Sequence, residues 1–310
     1  MNYEMIELRK KVGEILCEYG EKDSRIYVLD SDLAKSTTSI KFKEKFPERF
    51  IETGIAETSA MSIATGIALE GQIPFYVNFA TFISGTAWTQ LRQAANANAN
   101  VKMIATHPGM DNGPDGASHH ANEDIAIVRT IPNVKILVPS NVDELRKAIQ
   151  IAINCDGPVY IRCARDVVPN VELNKDVQVG KAVVVEDNGD DFAIIYEGTA
   201  TTISYEGFEY LKNKGYKGKL INILSIKPID NELIKKIANE VKVIVTVENH
   251  SVIGGLGGSI AEILAQMPHH AILKMVGVKD VFTESGRAID VKNKYGVTAE
   301  NIIKNIEAEI

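Results

Sequence analysis

Cysteine is scarce in this chain of 310 residues: Cys17, Cys155 and Cys163 are three in number and no CxxC pairs them. That excludes a disulfide framework and makes a reducing cytoplasm the expected setting. Basic charge is also in deficit. With 34 Lys and Arg against 41 Asp and Glu, the formal charge is −7, and no basic stripe offsets it, so neither nucleic acid nor an anionic membrane is an expected partner. No apolar run approaches about 18 residues, and the opening MNYEMIELRKKVGEIL is amphipathic and charged, unlike a signal peptide. No HExxH is present, nor a low-complexity tract, nor a repeat at a period of about 20–50 residues. What remains is an ordinary globular composition, 45% hydrophobic and 24% charged, and a length that suggests two domains at about 150 residues each.

Strand and helix patterns alternate along it. A helix over about 3–19 precedes the strand RIYVLD, a Ser/Thr/Lys loop, and a helix from Ala56 that Gly71 can end. IPFYVNF reads as a strand, SGTAWTQLRQAA as a helix, VKMIAT as a strand, ANEDIAIVRTI as a helix and VKILVP as a strand. NVDELRKAIQIAIN is a helix opened by Asn141, followed by the strand PVYIRC. This alternation implies an α/β fold whose parallel sheet is covered on both faces. The pattern predicts a first domain over 1–170, a linker with short extended pieces over 171–190, and a smaller α/β domain over 191–310.

FIETGIAETSAMSIATGIALEG carries one carboxylate, Glu57, in the first turn of a helix poor in charge on every side, which the pattern predicts to be buried all round. A buried carboxylate needs a partner. Glu57 either caps its own helix, where the dipole favours an anion by about 0.3–1 kcal/mol, or shares a proton or charge with another group. THPGMDNGPDGASHH, after a strand's carboxyl end, gathers His107, His119, His120, Asp111 and Asp115 among glycines and prolines. Open α/β sheets bind ligands there, glycines admit close backbone approach, and imidazoles bond hydroxyls and move protons. A polar surface loop and a metal site are the alternatives, though no ligand spacing supports a metal. Phe79, Phe82 and Trp88 follow the second strand and are either core or cofactor stack; Arg165, past PVYIRC, binds an anion or a neighbouring carboxylate. The turn Gly254, Gly255, Gly257, Gly258 lacks the last glycine of GxGxxG, which favours tight packing over nucleotide binding.

In order, ETGIAETSAMSIATGIA, PFYVNFATFI, THPGMDNGPDGASHHANEDIAIVRTIPNVKILVPSN, GPVYIRCARD and IKPID with VENHSVIGGLGGSIAE resemble the pyrimidine-binding and C-terminal domains of transketolases and deoxyxylulose-phosphate synthases. The likeness covers nearly the whole chain and is greatest to the C-terminal subunit of split, two-chain transketolases. It implies a thiamine diphosphate pyrimidine-binding domain with a parallel sheet, followed by a transketolase C-terminal domain. It further implies transfer of a two-carbon ketol unit from a ketose, often a sugar phosphate, to an aldose. Glu57 matches the glutamate that bonds N1' of the cofactor's aminopyrimidine and so favours the imino tautomer that deprotonates the thiazolium; Phe79 and Phe82 match aromatics that pack on that ring. His107, Asp115 and His119 match residues that contact substrate hydroxyls and carbonyl, which makes Glu57 and His119 the implied catalytic pair. Arg165 matches an arginine that grips a sugar phosphate.

Family members hold the diphosphate through Mg²⁺ on a Gly-Asp-Gly segment followed by Asn, and this chain has none. The resemblance therefore implies no metal ligands here, a partner N-terminal subunit that holds metal and diphosphate, and an assembly of two of each chain. Gly85, Thr86, Thr58 and Pro114 depart from the family's pattern, which bears on sugar specificity. Rival expectations are a deoxyxylulose-phosphate synthase-like activity, a 2-oxo acid dehydrogenase β-subunit and a non-catalytic paralogue.

Overall fold

Runs rich in Val, Ile, Phe and Tyr become strands, and the amphipathic segments between them become covering helices, in the computed structural model, which describes residues 3–171 and 177–310. The chain begins β1 (Met5–Glu7), α1 (Arg9–Lys22), β2 (Ile26–Asp30), α2 (Ala34–Thr37), α3 (Ile40–Lys45), β3 (Phe50–Glu52), α4 (Glu57–Leu69) and β4 (Ile73–Phe79). It continues through α5 (Trp88–Asn96), β5 (Lys102–Thr106), α6 (Asp124–Arg129), β6 (Lys135–Leu137), α7 (Val142–Asn154), β7 (Val159–Cys163) and β8 (Val167–Pro169). The second unit runs β9 (Val183–Asp187), β10 (Phe192–Glu197), α8 (Thr201–Asn213), β11 (Gly218–Ile223), β12 (Ser225–Lys227), α9 (Asn231–Glu240) and β13 (Val243–Ser251). It ends with α10 (Leu256–Leu264), β14 (Ile272–Val278), α11 (Ala288–Lys294) and α12 (Ala299–Glu307).

The larger sheet has the order β12-β6-β7-β5-β4-β2-β3, and the smaller β14-β13-β10-β11-β9. All neighbours are parallel except β12 on β6 and β9 on β11. Central strands β4, β5 and β7 are buried along their whole length, as a doubly covered parallel sheet requires. One face packs on Val12, Ile15 and Leu16 of α1 and Leu145 and Ile149 of α7. The other opens into a core that joins Ala60 and Ala64 of α4 to Ile234, Ile237 and Ile260 of the second unit. The units are joined by backbone as well: Ser225 of β12 pairs with Leu137 of β6, so the second unit supplies an edge of the first sheet.

Two expectations are corrected. The N-terminal segment is not helical from residue 3, because Met5–Glu7 pairs antiparallel with Val167–Pro169 and α1 starts only at Arg9; periodicity within the segment carries no trace of so distant a strand. Nor is α4 buried all round. Thr58, Ser59, Ser62 and Gly66 are exposed, and Ile63 and Leu69 are 41% and 63% exposed beside Ile55 at 82%; its lack of charge belongs to an outer face of small and apolar residues that no other described element covers.

Asn141 caps α7 as expected, its side-chain oxygen accepting from the Glu144 amide at 2.8 Å. The Gly254–Gly258 turn has a packing explanation. Glu248 takes the Leu256 and Gly257 amides at 2.7 and 2.9 Å, so the donors a phosphate would need are occupied, and a Cβ on Gly255 would lie 2.0 Å from the Glu248 carboxylate. Within the expected linker, β9 is an ordered strand, while residues 172–176 lie outside the described residues. Among the described residues no helix is long and apolar enough to cross a membrane.

Candidate active site

Parallel strands deliver their carboxyl ends, and the helices that follow them, to one edge of the larger sheet. Glu57 stands there as the first residue of α4, 9% exposed. Among the described residues its carboxylate has no hydrogen-bonding or ion-pair partner, so it does not cap its helix through a hydrogen bond. Tyr76 of β4 lies within its field: burial pushes the phenol's pKa up, and the Glu57 charge adds to the rise. The Tyr76 hydroxyl in turn meets Ser31 Oγ at 3.0 Å and accepts from Asn78 at 2.9 Å.

Next along the edge is a cluster of rings. Phe79 ends β4, and Phe82 opens a π-helical turn three residues on; the two rings stack with centroids 5.9 Å apart at 9°. His107 lies against Phe79 at 3.9 Å, and His119 meets Phe82 edge-on at 5.4 Å and Phe79 at 6.3 Å. His107 sits in left-handed backbone at φ 57° and is 3% exposed. Burial drives its pKa down to about 2, with the charges of Arg9, Arg165 and His119 adding to the fall, so its imidazole is neutral. Thr106 Oγ1 bonds the Asn78 carbonyl at 3.2 Å and lies 2.9 Å from His107 Nδ1. The hydroxyl proton being spent on Asn78, Nδ1 is the donor and Nε2 keeps a lone pair. His119 is half-buried, with Nδ1 2.9 Å from Ser118 Oγ. Asp115 is exposed on the same loop. His120 bridges its own loop and the second unit: Nε2 donates to the Gly113 carbonyl at 3.1 Å, and Nδ1 meets Thr283 of the second unit at 2.7 Å.

Arg165 follows β7 and is half-buried, its Nη1 donating to the Asp111 carbonyl at 3.0 Å. The structure adds a residue that sequence reasoning missed. Arg9, whose amide donates to the Ala164 carbonyl at 3.2 Å, anchors its guanidinium on the Ser36 carbonyl at 2.7 Å and Glu7 at 2.9 Å. It leaves Nε buried without a partner, and with Arg165 it is one of two guanidinium charges that bear on His107. No sequence signal marked it, since it reads as one more charge on an amphipathic helix. Thus Phe79, Phe82, His107 and His119 form one ring cluster, bordered by Arg165 and Arg9, with Glu57 beside β4 on the same edge. Trp88 packs against the core instead. Among the described residues no three His, Cys, Asp or Glu side chains are placed to hold a metal ion.

Residues 4–170 match the family described as transketolase, pyrimidine binding domain, and residues 180–302 match transketolase, C-terminal domain. A putative transketolase C-terminal section from Methanocaldococcus jannaschii is 39% identical over 98% of this chain and 96% of its own length. The 6-deoxy-6-sulfo-D-fructose transketolase subunit of a Clostridium species is 35% identical over 96% of this chain and 92% of its own. Among solved structures, a split gene transketolase described as an inactive beta4 tetramer superposes with a TM-score of 0.89 at 37% identity, covering 98% of both chains. The chain belongs to the transketolase family and comprises its pyrimidine-binding and C-terminal domains.

Proposed function

We propose that this chain is the C-terminal subunit of a thiamine diphosphate-dependent transketolase, transferring a two-carbon ketol unit between sugars once an N-terminal subunit completes the site. The observation that carries this reading is Glu57: a buried carboxylate with no partner among the described residues, at the edge where a parallel sheet binds ligands, the same edge that carries a pair of stacked phenyl rings. Those features fit an aminopyrimidine, which offers a ring nitrogen to a carboxyl group and a flat face to aromatics. When bound, thiamine diphosphate supplies an acidic thiazolium carbon that, once deprotonated, adds to a ketose carbonyl.

The chain's own residues then have distinct tasks. Glu57 shares a proton with the pyrimidine N1', and Phe79 and Phe82 hold the ring in place. Neutral His107 offers its Nε2 lone pair to a substrate hydroxyl, and Asp115 reaches hydroxyls further out. His119 donates toward the carbonyl oxygen as negative charge develops on it. Arg165 and Arg9 grip the anionic end, a phosphate or a sulfonate, both tetrahedral oxyanions suited to paired guanidinium groups. The name of the Clostridium relative specifies a sulfonated sugar for that protein.

Metal and diphosphate are held by the partner, because Gly-Asp-Gly is missing from this sequence. The uncovered apolar residues Ile55, Ile63 and Leu69 at and along α4 suit its docking surface, in a cytoplasmic assembly of two of each chain. A split relative whose structure is described as an inactive beta4 tetramer accords with a chain that is silent alone.

The test is to assay the purified chain and its co-expressed complex with thiamine diphosphate and Mg²⁺ on a panel of ketoses, pyruvate and aldehydes. The isolated chain should bind cofactor weakly and turn over nothing, and the complex should transfer ketol units. Tight Mg²⁺-dependent binding by the chain alone would overturn the two-chain reading, and activity on pyruvate alone would reassign the donor to deoxyxylulose-phosphate synthase-like or 2-oxo acid dehydrogenase chemistry.

A further inference from the structure

The loop bearing His107, Asp115 and His119 is fastened to the second unit at Asp111. Asn249 of β13 accepts from the Met110 amide at 3.0 Å and donates to Asp111 Oδ1 at 2.8 Å. Lys292, on α11, places Nζ 2.8 Å from the same Oδ1 and 3.0 Å from Asp166 Oδ2. The other carboxylate oxygen of Asp111 receives the Arg165 and Asp166 amides at 3.2 and 3.3 Å, and the Asp111 carbonyl receives Arg165 Nη1 at 3.0 Å. Asp111 thus holds Arg165 twice, by backbone and by guanidinium.

Asp111 is 1% exposed and the Lys292 side chain 12%. Arg165 Nη1 meets the Asp111 carbonyl and not its carboxylate, so among the described residues Lys292 is the cation paired with the buried Asp111 carboxylate, and a buried charge stripped of its counterion is costly. Asp166 faces the same Nζ, so without it two carboxylates would confront each other where Arg165 leaves β7.

We propose that Lys292 is a positioning residue for the anion-gripping end of the site: by compensating Asp111 and Asp166 it fixes the clamp that aims Arg165, so the second unit tunes substrate affinity from outside the reacting centre. The inference rests on the assignment of Arg165 to the substrate anion, and its test separates the two.

In the two-chain complex, Lys292→Met, Lys292→Arg and Arg165→Ala are compared with D-fructose 6-phosphate and D-fructose as donors. Lys292→Met should raise KM for the phosphorylated sugar by roughly tenfold, the scale of one lost charge-assisted contact, with little change in kcat and none in KM for fructose. Lys292→Arg, which keeps the charge, should restore most of the loss. Amide hydrogen exchange on the same complexes should quicken at Arg165 and Asp166 in Lys292→Met and stay unchanged in α8. A Lys292→Met enzyme with wild-type KM values, beside a clear phosphate-specific loss in Arg165→Ala, overturns the proposal alone; so do equal losses on both sugars. An Arg165→Ala enzyme that treats the two sugars alike overturns the assignment of Arg165 and the proposal with it. Should Lys292→Met not assemble, Lys292→Gln decides, since it keeps a donor toward Asp111 and loses only the charge: a KM increase confined to the phosphorylated sugar is expected, and its absence refutes the clamp.

Discussion

Replacing Glu57 by Gln separates what the carboxylate does for the fold from what it does for the cofactor. Among the described residues the Glu57 carboxylate makes no hydrogen bond, so the amide forfeits none, and the loss is limited to helix-dipole attraction of about 0.3–1 kcal/mol. The expected outcome is a change of no more than about 1 kcal/mol in the stability of the isolated chain, read from urea denaturation. In the two-chain complex the same variant cannot share a proton with N1', and exchange of the thiazolium C2 proton, followed by NMR, should slow by at least about a hundredfold. The reasoning fails if Glu57→Gln costs the isolated chain more than about 2 kcal/mol while the complex exchanges at the wild-type rate; Glu57 would then belong to the helix and not to the cofactor.

Two further outcomes are expected. His119→Ala should lower kcat/KM for every ketose donor, with or without an anionic end, as removal of a transition-state contact would, whereas a loss confined to phosphorylated donors would place His119 at the anion. His250 lies between the units, fully buried, and burial brings its pKa down to about 4. A histidine depressed in the folded state contributes stability that is complete above its unfolded value near 6.5 and is lost as pH falls toward 4, at roughly 1.4 kcal/mol per pH unit. Comparing the denaturation midpoints of wild type and His250→Gln from pH 7 to pH 4 should show the wild type falling more steeply; parallel curves would contradict the assignment.

Segments whose signal is local were legible in the sequence. The strands from RIYVLD to PVYIRC announce themselves by β-branched and aromatic runs, and Asn141 by its place before an amphipathic helix. Residues whose meaning depends on distant partners were not. Arg162 reads as an oddity inside PVYIRC; in the structure it is fully buried, donating to Asp124 at 2.9 Å and to the Asn249 carbonyl at 2.9 Å. Lys102, equally buried in β5, is spent on Asn100 and the carbonyls of Cys155 and Gly157. Arg9 and Lys292 were invisible for the same reason, since their counterparts lie in other elements. The histidines of the loop stood out by density, yet His107 and His119 meet the phenyl rings while His120, next to His119, braces the second unit; adjacent residues of one type cannot be told apart without backbone direction.

The antiparallel pairing of β12 with β6 bears on any attempt to dissect the chain. A fragment stopped within 171–190 would keep six strands of the larger sheet and release the seventh, leaving β6 with a bare row of amide and carbonyl groups. Such an edge invites strands from other molecules, and the same cut would open the core that Ile136 and Val138 share with Ile223 and Ile226. The first unit by itself is therefore a candidate for insoluble expression, and a soluble product requires that the excision carry Ser225–Lys227 with it or seal the edge with charge.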